Sequence, residues 1–352
     1  MRSRAPLRLG LAGGGTDVSP YCDTFGGAVM NATLDRYAWA SFSPRRDGRI
    51  VLEASDLGDA ESLAAEAVLP TDRGLRLHRG VYNRMIRDFN GGEPLEMTLT
   101  TYVESPLGSG LGSSSALVVA MVELLARVLK APLGEYEVAK LATEIERADL
   151  GLAGGRQDQY AATFGGFNFL EFQANDRVIV NPLRIRHATI CELEASLLLV
   201  STGASRQSAE VISSQAQSVS AGGRSLDAMH ELKAEAYAMK EALLLGDVGE
   251  IAAVLRRGWE AKKSTSAAVS TPLIEELFDT ALGAGALAGK VSGAGGGGFI
   301  MFLVDPDRRA AVTRAVSAQG FITTSARFTN DGCAIWESPS VAAAAPRDCD
   351  CR

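Results

Sequence analysis

The stretch Ser-Pro-Leu-Gly-Ser-Gly-Leu-Gly-Ser-Ser-Ser-Ala occupies positions 105–116 and runs directly into the apolar segment 117–122. Its glycines alternate at Gly108, Gly110 and Gly112, which permits positive φ angles and a close approach of the backbone to a ligand. Serines are typical N-caps, so we expect the serines that follow to cap an apolar helix. Backbone N–H groups at a helix start, with the positive end of the helix dipole behind them, bind phosphate oxygens. The sequence therefore predicts an anion-binding loop.

Other glycine-rich nucleotide-binding loops do not fit this stretch. A Walker A loop requires a Lys before its Ser or Thr, and no Lys occurs between Ile50 and Arg127. The spacing Gly-x-Gly-x-x-Gly fails because the third glycine comes one residue early. The glycine run 293–298 does satisfy that spacing, but a strand pattern follows it instead of a helix. The remaining alternative is a Gly/Ser turn that binds nothing. An ordinary turn, however, does not require three spaced glycines followed by three serines.

The composition is that of a soluble globular protein. Of 352 residues, 46% are hydrophobic and 22% are charged, which excludes disordered and fibrous classes. A net charge of −7 argues against a nucleic-acid partner, because proteins that bind nucleic acid carry an excess of positive charge. The sequence has neither an apolar run of about 18 residues nor a signal-like N-terminus, so we expect a cytoplasmic location and no membrane partner. Five cysteines without CxxC spacing support neither a disulfide framework nor a zinc site.

The pattern of apolar residues predicts an α+β protein, because a β-rich start precedes a large helical block. A hairpin is expected at Gly48 and a surface segment over 55–72. The expected strands cover 7–11, 27–32, 37–43, 95–104, 164–172, 196–201 and 299–304. The expected helices cover 75–89, 135–150, 231–245, 248–263 and 272–282.

Two further motifs accompany the anion-binding loop. Pro6-Leu-Arg8 is followed after six residues by Gly15-Thr-Asp17, and Lys-Val-Ser-Gly-Ala-Gly-Gly-Gly-Gly-Phe occupies 290–299. These motifs, in this order, resemble those of the GHMP kinases, the family of galactokinase, homoserine kinase, mevalonate kinase and phosphomevalonate kinase. The amino-acid sequences at 12–21 and 77–83 are most similar to those of sugar-kinase members of this family that phosphorylate O1 of a heptose 7-phosphate.

The resemblance implies two domains with the active site in the cleft between them. Residues 1–190 would form an N-terminal α/β domain like that of ribosomal protein S5, and 191–338 a C-terminal ferredoxin-like α/β domain. Residues 339–352 would be a flexible tail. ATP and Mg²⁺ would be the cofactors and a small sugar phosphate the partner, in a monomer or homodimer.

The resemblance also assigns roles in phosphoryl transfer. Asp158 would accept or orient the proton of the sugar hydroxyl, and Arg8 would stabilise charge on the moving phosphoryl group. Ser114 and Glu146 would hold Mg²⁺, with Glu144 as an alternative to Glu146. The residues that would hold the ATP phosphates are Pro106, Gly108, Ser109, Gly110, Leu111, Gly112, Ser113, Ser114 and Ser115.

A third group of residues would bind the acceptor. Sugar hydroxyls need paired polar groups, and the resemblance assigns them to the loop containing Gly14, Gly15, Thr16 and Asp17. The basic stretch with His78, Arg79 and Arg84 would face a second phosphate, with Arg206, Lys262 and Lys263 as further candidates. The third motif would add Gly295 and Gly296. Two alternatives stay open: a kinase of an unphosphorylated sugar such as L-fucose, and a protein that binds sugar or nucleotide without catalysis.

Overall fold

The computed structural model describes residues 1–105, 108–203 and 208–337. Pro106, Arg206 and the predicted tail 339–352 lie outside these ranges. Within them the chain mixes helices and strands, which confirms the α+β class. No helix of this described part is long and apolar enough to cross a membrane.

Helices and strands are numbered in chain order. The strands are β1 (Arg2–Ala12), β2 (Gly27–Pro44), β3 (Arg49–Ala54), β4 (Asp59–Ala64), β5 (Met97–Val103), β6 (Phe167–Phe172), β7 (Val178–Pro182), β8 (Leu197–Ser201), β9 (Ala286–Val291), β10 (Phe299–Val304), β11 (Ile322–Ser325) and β12 (Ala334–Trp336). The helices are α1 (Tyr21–Phe25), α2 (Arg76–Phe89), α3 (Ser113–Leu129), α4 (Glu135–Glu144), α5 (Gln157–Phe164), α6 (His187–Ser196), α7 (Ser208–Ser220), α8 (Arg224–Leu245), α9 (Val248–Thr265), α10 (Pro272–Gly283) and α11 (Arg309–Ala318). The π-helical turn Ile145–Asp149 continues α4.

The first sheet has the order β12-β1-β2-β5-β3-β4, and β6 and β7 extend it from β2. The strands expected at 27–32 and 37–43 are two halves of the single strand β2. The first half pairs with β6 and the second half with β5. The alternation of apolar residues that predicted two separate strands is interrupted where the partner strand changes. The hairpin expected at Gly48 is wrong, because β3 pairs in parallel with β5 and antiparallel with β4. Strand β4 forms within the segment expected to be surface.

Helix α3 is the central helix of the N-terminal domain. Most of its side chains are buried, and it packs against β1, β2 and α2. A helix that is apolar on all sides is stable only when it is enclosed, which fixes the position of its N-terminus. The anion-binding loop before it is therefore held by the domain core.

The second sheet is antiparallel, in the order β11-β8-β10-β9. Helices α10 and α11 pack together beside it, and α9 packs against β9. This four-stranded sheet with helices fits the ferredoxin-like expectation. The expected boundary at residue 190 falls inside α6, and β12 returns to pair with β1 in the first sheet.

The two sheets are joined by a shared core. Ala236 and Met239 of α8 are fully buried together with Leu9 of β1 and Met30 of β2. Helix α8 packs against both of these strands, and α9 contacts β1. The loop that follows β1 therefore lies between the N-terminal sheet and the C-terminal helices.

Candidate active site

The anion-binding loop has the backbone that its glycines predict. The φ angles of Gly108, Gly110 and Gly112 are 79°, 76° and 74°, in the left-handed region that favours glycine. The expectation that a serine caps α3 is wrong: Gly112 occupies the N-cap, and no side chain caps the helix. The three serines instead form the first turn, whose N–H groups have no carbonyl partner within the helix. This arrangement leaves the helix start suited to a phosphate.

The serines of the loop have different surroundings. Ser109 Oγ and Ser113 Oγ are 3.0 Å apart, and Ser109 Oγ also accepts a hydrogen bond of 3.4 Å from the backbone N–H of Leu111. Ser115 is buried, and its Oγ accepts a hydrogen bond from Gln159. Ser114 is half-buried and lines the central cavity. The position of Ser114 suits a group that contacts a ligand.

The third motif packs directly on this loop. Ser292 Oγ donates a 2.8 Å hydrogen bond to the carbonyl of Gly110, and the Phe299 N–H donates a 2.9 Å bond to the carbonyl of Ser109. A Cβ added to Gly110 would lie 2.4 Å from the Ser292 carbonyl oxygen, so the two backbones touch. Gly296 instead donates to Val269, and a Cβ on its neighbour Gly295 would also meet the Val269 carbonyl. Gly293 and Ala294, and not Gly295 or Gly296, line the cavity.

Arg8 and Asp158 form an ion pair beside the anion-binding loop. Arg8 Nε donates to Asp158 Oδ1 at 2.7 Å, and Arg8 Nη1 donates to the Gly110 carbonyl at 2.5 Å. The Arg8 side chain is buried, whereas Asp158 remains partly open to the cavity. Asp158 lies in the first turn of α5. Its Oδ2 would be 3.3 Å from a Cβ on Gly112, which places this carboxylate at the start of α3.

Glu146 lies on the π-helical turn and lines the same cavity. Its Oε2 accepts a short hydrogen bond from Gln159 Nε2, and Arg147 Nη1 lies 3.9 Å from its Oε1. Burial raises the pKa of this carboxyl. Glu144, the alternative ligand, pairs with Arg84 and is not among the residues that line the cavity. The structure thus brings Glu146, and not Glu144, to the cavity that Ser114 also lines.

Asp17 connects the loop after β1 to the helix that carries Asp158. Its Oδ2 accepts hydrogen bonds of 2.9 and 3.1 Å from the backbone N–H groups of Arg156 and Gln157, which precede and begin α5. Gly155 must be a glycine, because a Cβ there would lie 2.0 Å from Asp17 Oδ2. Asp17 also lines the cavity, so it both caps α5 and forms part of the cavity surface.

The neighbours of Asp17 differ in exposure. Thr16 is fully buried, and its hydroxyl bonds only to the backbone of Gly13 and Ala28, so the structure gives it a structural role instead of the expected contact with sugar. Gly15 lines the cavity. The Gly14 carbonyl accepts a hydrogen bond from Lys262.

The basic residues of α2 are not brought to the cavity. His78 is buried against Thr101, and burial lowers its pKa to about 4. Arg79 Nε and Nη2 both donate to Glu61 Oε2, at 2.9 and 2.8 Å. Arg84 binds three carboxylates, those of Asp88, Glu144 and Asp149. Each of these side chains is satisfied within the protein, which corrects the expectation that they face a second phosphate.

The central cavity has a volume of about 280 Å³ and lies where the three motifs meet. Some of its residues lie outside the sequence motifs, among them Ile212, Gln215 and Lys262. In the described residues, no group of three His, Cys, Asp or Glu side chains could hold a metal ion. Any divalent ion here would therefore rely on few protein ligands.

Comparisons with known proteins agree with the motifs. The family model for the GHMP kinases N terminal domain matches residues 76–166, and that for the GHMP kinases C terminal domain matches 239–322. A D-glycero-alpha-D-manno-heptose 7-phosphate kinase from Campylobacter jejuni is 45% identical over 96% of this chain and 98% of its own length.

Two further similarities extend this comparison. A solved D-glycero-D-manno-heptose 1-phosphate kinase from Bacteroides thetaiotaomicron has a TM-score of 0.82 and 45% identity, over 96% of this chain and 99% of its own. An L-fucokinase/L-fucose-1-P guanylyltransferase from Bacteroides fragilis is 27% identical over 92% of this chain but only 37% of its own length. The chain therefore belongs to the GHMP kinase family and is a phosphotransferase that acts on a hydroxyl group.

Proposed function

We propose that this protein transfers the γ-phosphate of ATP to the anomeric O1 of D-glycero-D-manno-heptose 7-phosphate. The product would be the 1,7-bisphosphate, a precursor for nucleotide-activated heptose. One observation carries the proposal: the Arg8–Asp158 pair, joined at 2.7 Å, sits at the start of α3 and opens onto the central cavity. The heptose phosphate kinases that are 45% identical over nearly the whole chain support the choice of sugar.

The loop and helix start would hold the ATP phosphates. Phosphate oxygens would accept hydrogen bonds from the N–H groups of the first turn of α3, where the helix dipole is positive. Gly108, Gly110 and Gly112 let these oxygens approach the backbone without meeting a Cβ atom. No Walker lysine is needed, because Arg8 already places a cation next to this loop.

The cavity residues fit Mg²⁺. Mg²⁺ prefers hard oxygen ligands and keeps several waters, so one hydroxyl and one carboxylate are sufficient protein ligands. Ser114 and Glu146 supply these and both line the cavity. Gln159 donates to Ser115 and to Glu146, which holds this carboxylate in a fixed orientation. Ser114 and Glu146 would hold the ion, whose positive charge would offset the negative charge of the nucleotide phosphates.

The Arg8–Asp158 pair would act at the transferred group. Asp158 Oδ1 is occupied by Arg8 Nε, so Oδ2 is the oxygen available to the sugar hydroxyl. Asp158 would accept the anomeric proton or orient the hydroxyl for attack, since phosphoryl transfer depends chiefly on alignment and charge. The Arg8 guanidinium would stabilise negative charge on the phosphoryl group as it moves.

The test is ATP consumption with Mg²⁺ on three acceptors, with the new phosphate located by ³¹P NMR. The acceptors are D-glycero-D-manno-heptose 7-phosphate, the same heptose without its phosphate, and L-fucose. We expect turnover with the first, giving an anomeric phosphate. Preference for either neutral sugar would overturn the assigned substrate, and no turnover with any of them would mean that the phosphorylated hydroxyl belongs to a different acceptor.

A variant tests the transfer site separately. General-base help is worth about 10²–10⁴-fold, so Asp158→Asn should lower kcat by that factor with little effect on KM. The matched control is Asp279→Asn, which makes the same change at an exposed position of α10. Equal activity of the two variants would remove Asp158 from the mechanism.

A further inference from the structure

One wall of the cavity belongs to the C-terminal domain. It is formed by Ala209, Ile212 and Gln215 of α7 and by Lys262 of α9. This wall meets the loop that follows β1, where Gly15 and Asp17 line the same cavity. The acceptor would therefore lie between this wall and the Arg8–Asp158 pair.

Lys262 places a buried ammonium group in this wall. The residue is only 6% exposed. Its Nζ donates to the Gly14 carbonyl at 3.0 Å and to Gln215 Oε1 at 3.4 Å. An ammonium has three N–H donors, so two protein acceptors leave one donor for the cavity. Across the described ranges, Lys262 has no carboxylate within ion-pair distance.

The surrounding residues fix this ammonium in place. Gln215 Nε2 donates to Thr265 Oγ1 at 2.6 Å, and Thr265 Oγ1 donates to the Lys262 carbonyl at 2.7 Å. Gly15 has a φ of 106°, and a Cβ there would lie 2.9 Å from Lys262 Nζ. The backbone thus passes close to the ammonium only because this residue is glycine. The group is held by contacts from α7, α9 and the loop after β1.

The other cations are engaged elsewhere. Among the described residues, Arg8 and Arg147 are the remaining cations that line the cavity. Arg8 pairs with Asp158, and Arg147 donates to backbone carbonyls and lies near Glu146. Lys263 points away and pairs with Glu260 and Glu275. Lys262 is therefore, among the described residues, the cavity cation that has no carboxylate within ion-pair distance; Asp17, which lines the same cavity, acts on its charge only from further away.

We propose that Lys262 binds the phosphate that the acceptor sugar already carries, remote from the hydroxyl that is phosphorylated. This proposal rests on the proposed function. Burying a charge without a partner is costly, and a phosphate oxygen supplies both the missing charge and the missing acceptor. A neutral hydroxyl would supply only the acceptor.

The test compares two sugars on three proteins. Kinetics are measured with heptose 7-phosphate and with the same heptose lacking its phosphate, on the wild type, Lys262→Met and the matched control Lys263→Met. A hydrogen bond to a charged group is worth about 1.5–3 kcal/mol, so Lys262→Met should raise KM for the phosphorylated sugar about 10–100-fold. The unphosphorylated heptose should be affected less than threefold, and Lys262→Arg should restore part of the loss.

The outcomes separate the two proposals. An equal loss on both sugars would overturn the role of Lys262 while leaving the kinase assignment intact. A wild type that prefers the unphosphorylated heptose would overturn both. Calorimetric binding of heptose 7-phosphate without ATP provides a readout independent of turnover, and unchanged affinity in Lys262→Met would also refute the proposal. Removing an unpaired buried charge should not lower the melting temperature, so we expect the variant to fold.

Discussion

Replacing Gly110 by Ala tests whether the anion-binding loop and the third motif are interlocked. Gly110 has a φ of 76°, and the left-handed conformation costs a residue with a Cβ about 1–2 kcal/mol. The Cβ would also lie 2.4 Å from the Ser292 carbonyl oxygen. The Ser292 carbonyl belongs to the backbone that connects β9 to β10, and backbone cannot rotate aside as a flexible side chain can. The anion-binding loop itself must therefore move.

That movement would disturb two hydrogen bonds. The Gly110 carbonyl accepts from Ser292 Oγ at 2.8 Å and from Arg8 Nη1 at 2.5 Å. Each contributes about 1–2 kcal/mol, which with the backbone strain gives a loss of about 4 kcal/mol. At about 2.1 cal/mol/K per residue, this loss lowers the melting temperature of the protein by about 5 °C. The displaced loop should also raise KM for ATP more than tenfold.

The control is Gly91→Ala, at a position with a φ of 61° and no atom within 4 Å of the new Cβ. It carries the backbone strain alone, so we expect a shift of about 1–3 °C and an unchanged KM for ATP. Melting temperatures come from scanning fluorimetry and KM from a coupled assay. If Gly110→Ala matches the control in both quantities, the two loops are not interlocked as argued.

Three further substitutions test other parts of the structure. Arg79→Met leaves Glu61 without its buried partner, so the free energy of unfolding should fall by about 3–5 kcal/mol, while KM for the sugar stays unchanged. Burial lowers the pKa of the Lys290 ammonium to about 7, whereas its unfolded value is 10.5. Between these two pH values the unfolded state binds more protons than the folded state, so the free energy of unfolding rises with pH. Lys290→Met should reduce that rise by about 1.4 kcal/mol per pH unit, measured by urea unfolding at about pH 7.5 and 9. Asp17→Ala removes the cap of α5 and should lower stability by about 2 kcal/mol and also lower kcat, because α5 carries Asp158.

Each of these has a contrary result. A raised KM for the sugar in Arg79→Met, at normal stability, would show that Arg79 contacts the substrate. An unchanged pH dependence in Lys290→Met would mean that its ammonium is not desolvated. Normal kcat in a destabilised Asp17→Ala would show that the α5 start does not depend on this cap.

The parts of the site that the sequence predicted are those carried by local motifs. Arg8, Ser114, Glu146 and Asp158 each stand in a short pattern, and the fold brings them to one cavity. The positive φ angles of the loop also followed from its glycines, because backbone conformation is a local property. The helix cap did not, since Gly112 left the serines inside α3.

The failures concern partners that are distant in the chain. Arg79 looks like a phosphate ligand in sequence, but Glu61 binds it from β4, a strand that the pattern did not show. In the same way, the sequence does not distinguish Lys262 from its neighbour Lys263. The difference comes from Gln215 on the distant helix α7, which accepts a hydrogen bond from Lys262. Whether a cation serves a ligand or the fold depends on long-range packing, which periodicity does not report.

The contact between the anion-binding loop and the third motif joins the two sheets at the candidate site. Ser109 and Gly110 accept hydrogen bonds from Phe299 and Ser292, which flank the glycine run that leads into β10. The anion-binding loop therefore takes its final position only when the second sheet has formed as well. Folding of the C-terminal residues is thus a condition for a binding site whose motif lies in the N-terminal half of the chain.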